Sequence, residues 1–235
     1  MNFDLRSRVT AEFLGTGLLV AAVVGSGIMG ERLSAGNAAI ALLANTIATG
    51  AALVALILAF GPISGAHLNP VVSAAEWAAG RLGRAELMAY AAAQFTGGVA
   101  GAALANVMFQ LPIISLSRHA RSGPAQFLSE IVATFGLLVV IWGCARSRPL
   151  MVPFAVGSYI TAAYWFTAST SFANPAVTMA RTVSDTFAGI RPADTPAFLA
   201  AQLCGAAAAV MLFRWLEGRQ AAEDTRVVEV ERQAV

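Results

Sequence analysis

No lysine occurs anywhere in the 235 residues, charged side chains make up only 12% of them, and there are just two histidines and two cysteines. With a net charge of +2 and its arginines spread over separate loops, the chain has no basic face for nucleic acid, which is excluded as a partner. Cys144 and Cys204 each sit inside an apolar run and read as small hydrophobes rather than metal or redox ligands. His67 and His119 fall in different loops, so no metal site and no cofactor is expected. The same scarcity leaves no paired nucleophile and base, which argues against an enzyme. The first eight residues lack an apolar core and the first hydrophobic run has no small-residue cleavage site, so no signal peptide is expected.

What is abundant is apolar surface, at 57% of residues. Apolar stretches near residues 9–29, 38–60, 86–109, 127–145, 150–166 and 196–216 have roughly the ~20-residue length that spans a bilayer. The reading is an all-α membrane protein with one integral membrane domain over residues 1–216. A polar tail, 217–235, lacks an apolar stripe and reads as solvated or frayed. Gly61-Pro62 is expected to break the second span. Trp77, Trp142, Trp165 and Trp215 lie near span ends and read as interface anchors, and Gly97 with Gly101 forms a small-residue pair for close helix packing.

The chain is organised around Ser64-Gly65-Ala66-His67-Leu68-Asn69-Pro70-Val71, which returns as Thr170-Ser171-Phe172-Ala173-Asn174-Pro175-Ala176. In both, Asn-Pro stands where a short helix can start, because proline at the first helical position gives up an N–H that has no partner anyway. Three spans separate the copies, so the second enters the membrane from the opposite face. Six spans plus two re-entrant half-helices therefore form an inverted repeat, 9–110 and 127–216. Glu12 with Thr16 is echoed by Glu130 with Thr134, and Gln94 with Gly97 by Gln202 with Gly205. Eight arginines, among them Arg6, Arg8, Arg81 and Arg146, fall on one side of this drawing, against Arg32, Arg118, Arg121 and Arg191 on the other. That bias puts both termini in the cytoplasm of a cell whose inner (plasma) membrane holds the protein.

Such a repeat builds a solute path from backbone and helix dipoles. Extended segments Gly65-Ala66-His67 and Thr170-Ser171-Phe172 would line it with carbonyls, and Asn69 and Asn174 would supply amide donors at its middle. Two positive half-helix ends there repel cations while a neutral hydroxylated solute can still hydrogen-bond. Glu12 and Glu130 invite a proton-relay reading, but their symmetry favours buried acceptors for the N–H groups of the two loops. A proton-coupled transporter shares inverted repeats and broken helices, yet apart from these two glutamates the spans carry no paired ionisable groups to couple.

These motifs, Ser-Gly-Ala-His-Leu-Asn-Pro and Asn174-Pro175-Ala176 with Glu-x-x-x-Thr opening the first and fourth spans, resemble the aquaporin or major intrinsic protein family across the whole chain. The resemblance implies one pore per subunit, membrane lipid around it, and a homotetramer. It implies a constriction at Thr49, Tyr164, Ser171 and Val177, with Tyr164 preferred over Ala162 for the fifth-span position. The family's first motif usually reads Asn-Pro-Ala, where Val71 stands here, and its second usually continues with arginine, where Val177 stands. The small uncharged ring is similar to the bacterial aquaglyceroporin branch associated with arsenic resistance. A passive channel for arsenite and glycerol, with or without water, is what this implies; a water-selective channel is the alternative. Arg181, one turn beyond Val177, is expected at the outer mouth, its donors held by loop carbonyls.

Overall fold

A computed structural model describes the backbone of residues 3–233 and the side chains of residues 3–218. The described residues form eight α-helices and no strands. They are α1 (Leu5–Leu33), α2 (Ala38–Ser64), α3 (Pro70–Ala78), α4 (Arg84–Met108), α5 (Pro124–Ser147), α6 (Val152–Phe166), α7 (Pro175–Ala180) and α8 (Thr195–Gln233). Five of them, α1, α2, α4, α5 and the span within α8, are long and apolar enough to cross a membrane. With 15 residues, α6 is the short sixth. At 1.5 Å per residue it covers about 22 Å, and the 3₁₀ turn Pro149–Met151 adds roughly 6 Å, close to the ~30 Å of a hydrocarbon core.

Local chemistry sets most boundaries. The Asp4 carboxylate accepts the Ser7 N–H at 2.8 Å to start α1, Asn37 Oδ1 caps α2, and Pro124 occupies the first turn of α5. Two boundaries differ from the sequence reading. Gly61-Pro62 does not break the second span; α2 runs through it to Ser64 and ends at Gly65, which takes the left-handed φ of 89° that glycine adopts without strain. Proline is tolerated there because it lies in the final turn, just before the chain leaves the helix. The tail read as solvated or frayed continues α8 to Gln233; its side chains beyond Gly218 lie outside the described residues.

The duplication is visible in the packing. α1 packs on α2 and α4 as α5 packs on α6 and α8, and each half-helix also touches the last helix of the other half, α3 on α8 and α7 on α4. Gly97 and Gly101 bring α4 onto α1: a Cβ added at Gly97 would lie 2.3 Å from the Phe13 carbonyl oxygen, and one at Gly101 would lie 2.0 Å from that of Gly17. The repeat partner Gly205 stands 2.4 Å, by the same construction, from the Ile131 carbonyl oxygen. These glycines serve packing within one subunit.

Each re-entrant loop hangs on one fully buried carboxylate. Glu12 accepts four hydrogen bonds, from the Ser64 hydroxyl (2.7 Å), the N–H groups of His67 (2.9 Å) and Leu68 (2.7 Å), and Gln94 Nε2 (2.8 Å). Glu130 accepts the matching four, from Ser169 (2.6 Å), Phe172 N–H (2.9 Å), Ala173 N–H (2.9 Å) and Gln202 Nε2 (2.6 Å). The glutamine then donates into the half-helix, to Ser73 in one half and Thr178 in the other. Both oxygens of each carboxylate are thus engaged by donors from the loop and the neighbouring helix.

Two outcomes follow from this packing. Gly101→Ala should lower the thermal midpoint of the detergent-solubilised protein by an amount equivalent to about 1–3 kcal/mol, because a carbonyl of α1 blocks the new methyl. Gly143→Ala, where a Cβ meets open space, should be neutral or slightly stabilising; equal midpoints for the two variants would contradict the close-approach account. Glu130→Gln should chiefly reduce yield and midpoint, since the amide adds a donor facing donors and leaves a buried N–H unmet at about 1–3 kcal/mol. A Glu130→Gln protein of normal stability that leaks protons in vesicles would instead favour the relay.

Candidate channel and its constriction

Hanging each loop by its N–H groups forces unusual backbone. Ala66, Leu68, Thr170, Ser171 and Ala173 all have φ between 46° and 59°, in the left-handed region. The loops are thus not the extended segments expected from sequence. In each loop two consecutive left-handed residues, Gly65 with Ala66 and Thr170 with Ser171, are followed one residue later by a third, Leu68 or Ala173, and the N–H groups of the last two residues before the asparagine face the glutamate.

Where the loops meet, the two asparagines do two jobs each. Asn69 Oδ1 caps α3 by accepting the Val71 N–H at 3.0 Å, and Asn174 Oδ1 caps α7 by accepting from Ala176 (3.0 Å) and Val177 (3.2 Å). Their amide groups reach across: Asn69 Nδ2 donates to the Ala173 carbonyl and Asn174 Nδ2 to the Leu68 carbonyl, both at 2.8 Å. An amide NH₂ carries two protons, so each asparagine keeps one for another acceptor. Both line the same cavity. Leu68 and Ala173, which accept the cross-bonds, were not singled out from the sequence, although each immediately precedes its asparagine in the repeat.

The cavity holds about 100 Å³, room for several water-sized groups, and runs between the halves. Its walls are mostly aliphatic, as at Leu19, Leu53, Val72, Leu137, Val156 and Ile160. Gly65, Ala66, His67 and Phe172 of the loops line it as well; Thr170 does not, its hydroxyl instead lying 3.5 Å from Arg121 Nη1. Thr49, Tyr164, Ser171 and Val177 all line it, and the Tyr164 hydroxyl donates to Thr49 Oγ1 at 3.3 Å. Ala162 is exposed on the outer face of α6.

Arg181 departs from its expected place. It is only 2% exposed and lines the cavity together with Val177, rather than standing at the mouth. The reason is local: α7 stops after six residues and tightens into the 3₁₀ turn Arg181–Val183, and a helical side chain leans back toward the N-terminus. Its guanidinium carbon lies 3.4 Å from the centre of the Phe172 ring, a stacked cation–π contact, and its Nε donates to the Ala188 carbonyl.

A second arginine lies beside it. Arg121, from the loop between α4 and α5, approaches the same ring at 5.1 Å and donates to the carbonyls of Gly189 (2.8 Å), Phe187 (3.2 Å) and Ser169 (3.5 Å). Burial pulls its guanidinium down to about 10, which still leaves it charged at neutral pH. No motif marks Arg121 in the sequence, because its partners are backbone groups tens of residues away. Trp142 also differs from its expected interface position: it is 6% exposed, and its ring N–H donates to Glu76 at 2.6 Å. Trp77 and Trp165 do stand exposed.

Comparison with known proteins agrees with this geometry. Residues 2–170 match the family described as Major intrinsic protein. The chain is 58% identical over 215 residues to Aquaglyceroporin AqpS of Rhizobium meliloti (strain 1021), covering 92% of each chain. It is 31% identical over 245 residues to the Probable aquaporin AqpM of Archaeoglobus fulgidus, covering 92% of this chain and 99% of that one. The solved aquaglyceroporin of Plasmodium falciparum shares its fold, with a TM-score of 0.73 at 21% identity over 89% of this chain and 96% of that one. Apolar spans, two re-entrant half-helices tied tip to tip, and similarity over most of the chain thus converge: it belongs to the major intrinsic protein family of multi-pass membrane channels for water and small solutes.

Proposed function

We propose that the chain is a passive channel for small neutral hydroxylated solutes larger than water, with glycerol and undissociated arsenite as substrates and water accompanying them. The observation that carries the reading is that Thr49, Tyr164, Ser171 and Val177 all line one cavity whose other walls are mainly aliphatic. A polyol or trihydroxide presents hydroxyls to one side and a compact body to the other. Hydroxyl side chains replace part of its hydration while Val177 leaves an apolar wall, so the desolvation cost of several kcal/mol is partly returned. The name aquaglyceroporin borne by the 58% identical relative supports glycerol. Arg181 beside the ring favours a second reading, a water-selective channel, because a fixed guanidinium narrows the path and favours solutes that are small enough to pass it. Both termini are assigned to the cytoplasm on the arginine bias, and the assembly to a homotetramer on family resemblance.

Stopped-flow light scattering on proteoliposomes tests the reading: glycerol and arsenite should enter faster than into empty vesicles, and rapid water flow with neither solute entering would establish the water-selective alternative. Val177→Arg should slow glycerol and arsenite about tenfold, the effect of roughly 1.4 kcal/mol of added barrier, while water flow is largely kept. Unchanged solute flux in that variant would remove Val177 from the constriction. Asn174→Asp should lower all neutral fluxes, since a carboxylate oxygen would face the Leu68 carbonyl where an N–H now donates, and it should admit cations. Normal flux with no cation current in the inserted variant would show that this amide does not face the path.

A further inference from the structure

Two residues that line the cavity beside Val177 keep a polar atom without a partner. Arg181 Nη1 and Ser171 Oγ are both buried, both belong to residues lining the cavity, and neither has a hydrogen-bond partner. Each residue is 2% exposed. Thr49 accepts from Tyr164 and so keeps its own hydroxyl proton to give. Among the residues that line this cavity, Arg181 and Ser171 thus each keep a buried polar atom unspent, and Thr49 keeps a hydroxyl proton.

The carboxylates nearby are occupied. Asp194 accepts the Arg191 guanidinium at 2.8 Å and the Arg121 backbone N–H at 2.8 Å, Asp185 accepts the Arg118 N–H at 2.8 Å, and Glu130 is closed by its four donors. Among the described residues, neither Arg121 nor Arg181 takes part in an ion pair. Arg121 spends its donors on carbonyls and Thr170, so it contributes field rather than contact. Phe172 supports both cations with its ring face but offers no formal charge.

We propose that this end of the channel is a binding site for a small monovalent oxyanion of carboxylate or nitrate size, contacted by Arg181 Nη1 and the Ser171 hydroxyl, and that the bound anion obstructs solute flow. The proposal rests on the channel reading above and names a ligand class for the same site. A hydrogen bond with one ionised partner is about twice as strong as a neutral one, so the Ser171 hydroxyl holds an anion more tightly than it holds water or a polyol, and the anion also gains the direct attraction of the Arg181 charge. Between the ring and the Asn69 and Asn174 amides the walls are aliphatic, so an anion leaving the Arg181 end would cross a stretch that does not replace its hydration. It therefore binds at the Arg181 end and does not pass.

Nitrate is a suitable probe because it stays ionised at any working pH and has no neutral form to cross lipid. Glycerol entry into proteoliposomes would be measured while sodium nitrate replaces sodium chloride, whose anion is not an oxyanion, on both sides at constant ionic strength and osmolarity. Wild-type flux should fall along a saturating curve with half-inhibition at about 10 mM nitrate. Ser171→Ala should raise that concentration about tenfold, and Arg181→Ala should abolish inhibition, each judged against the same variant without nitrate. If Arg181→Ala fails to assemble because its Nε no longer holds Ala188, Ser171→Ala decides. Flux indifferent to nitrate in the wild type, or equal inhibition in wild type and Ser171→Ala, would overturn the proposal. Absence of glycerol entry even without nitrate would instead refute the glycerol reading, and the same titration read on osmotic water flow would still decide the anion site.

Discussion

Everything polar at the centre of this membrane protein depends on two buried carboxylates that each collect four hydrogen bonds. A re-entrant loop carries peptide N–H groups to a depth where no lipid can satisfy them, and each unmet group costs several kcal/mol. Glu12 and Glu130 meet that cost in the same way in both halves, with a serine hydroxyl, two consecutive N–H groups and a glutamine amide. Once the N–H groups are fixed, the backbone is held in its left-handed turns, the half-helices start at their asparagines, and the two tips come within hydrogen-bonding distance.

The halves are alike in frame and unlike in what they carry on it. His67 and Phe172 occupy equivalent places, each the first N–H donor to its glutamate. His67 bonds Ser73 at 3.0 Å and meets the edge of Tyr90, whereas Phe172 lies against Phe198 and supports two arginines. A duplicated scaffold thus gains a direction: one end of the path is bordered by an imidazole, the other by guanidinium. Since the frame rests on backbone and on residues outside the path, lining side chains can differ between the halves without disturbing it.

Much of this was legible in the sequence because it is local or repeated. Asn-Pro steps announce helix starts through proline's missing N–H, and Glu12 with Glu130 announces loop anchors through symmetry. What was not legible depends on long-range placement. Arg181 looked like a mouth residue by counting one turn, but counting cannot show that α7 ends at Ala180 and tightens, nor that Phe172 offers its ring at 3.4 Å. Arg121 is held by carbonyls of residues 169, 187 and 189, which no spacing rule connects to it. Pro62 read as a break because proline disfavours helix interiors, yet it falls one turn from an end fixed by Gly65. Trp142 read as an anchor because of where it lies along its span, while its direction is set by Glu76.

The reciprocal bonds from Asn69 to Ala173 and from Asn174 to Leu68 have a mechanical consequence. They make the middle of the channel a seam between the two halves of the chain rather than a hole through either one. Each half supplies one donor and one acceptor, so any motion that draws the halves apart stretches both bonds in parallel. The load is shared with the α2–α6, α3–α8 and α4–α7 contacts that close the seam above and below. Widening the path at this level therefore requires both amides to give up their carbonyls, so the two helix ends and the lining that they define are held by the same pair of bonds.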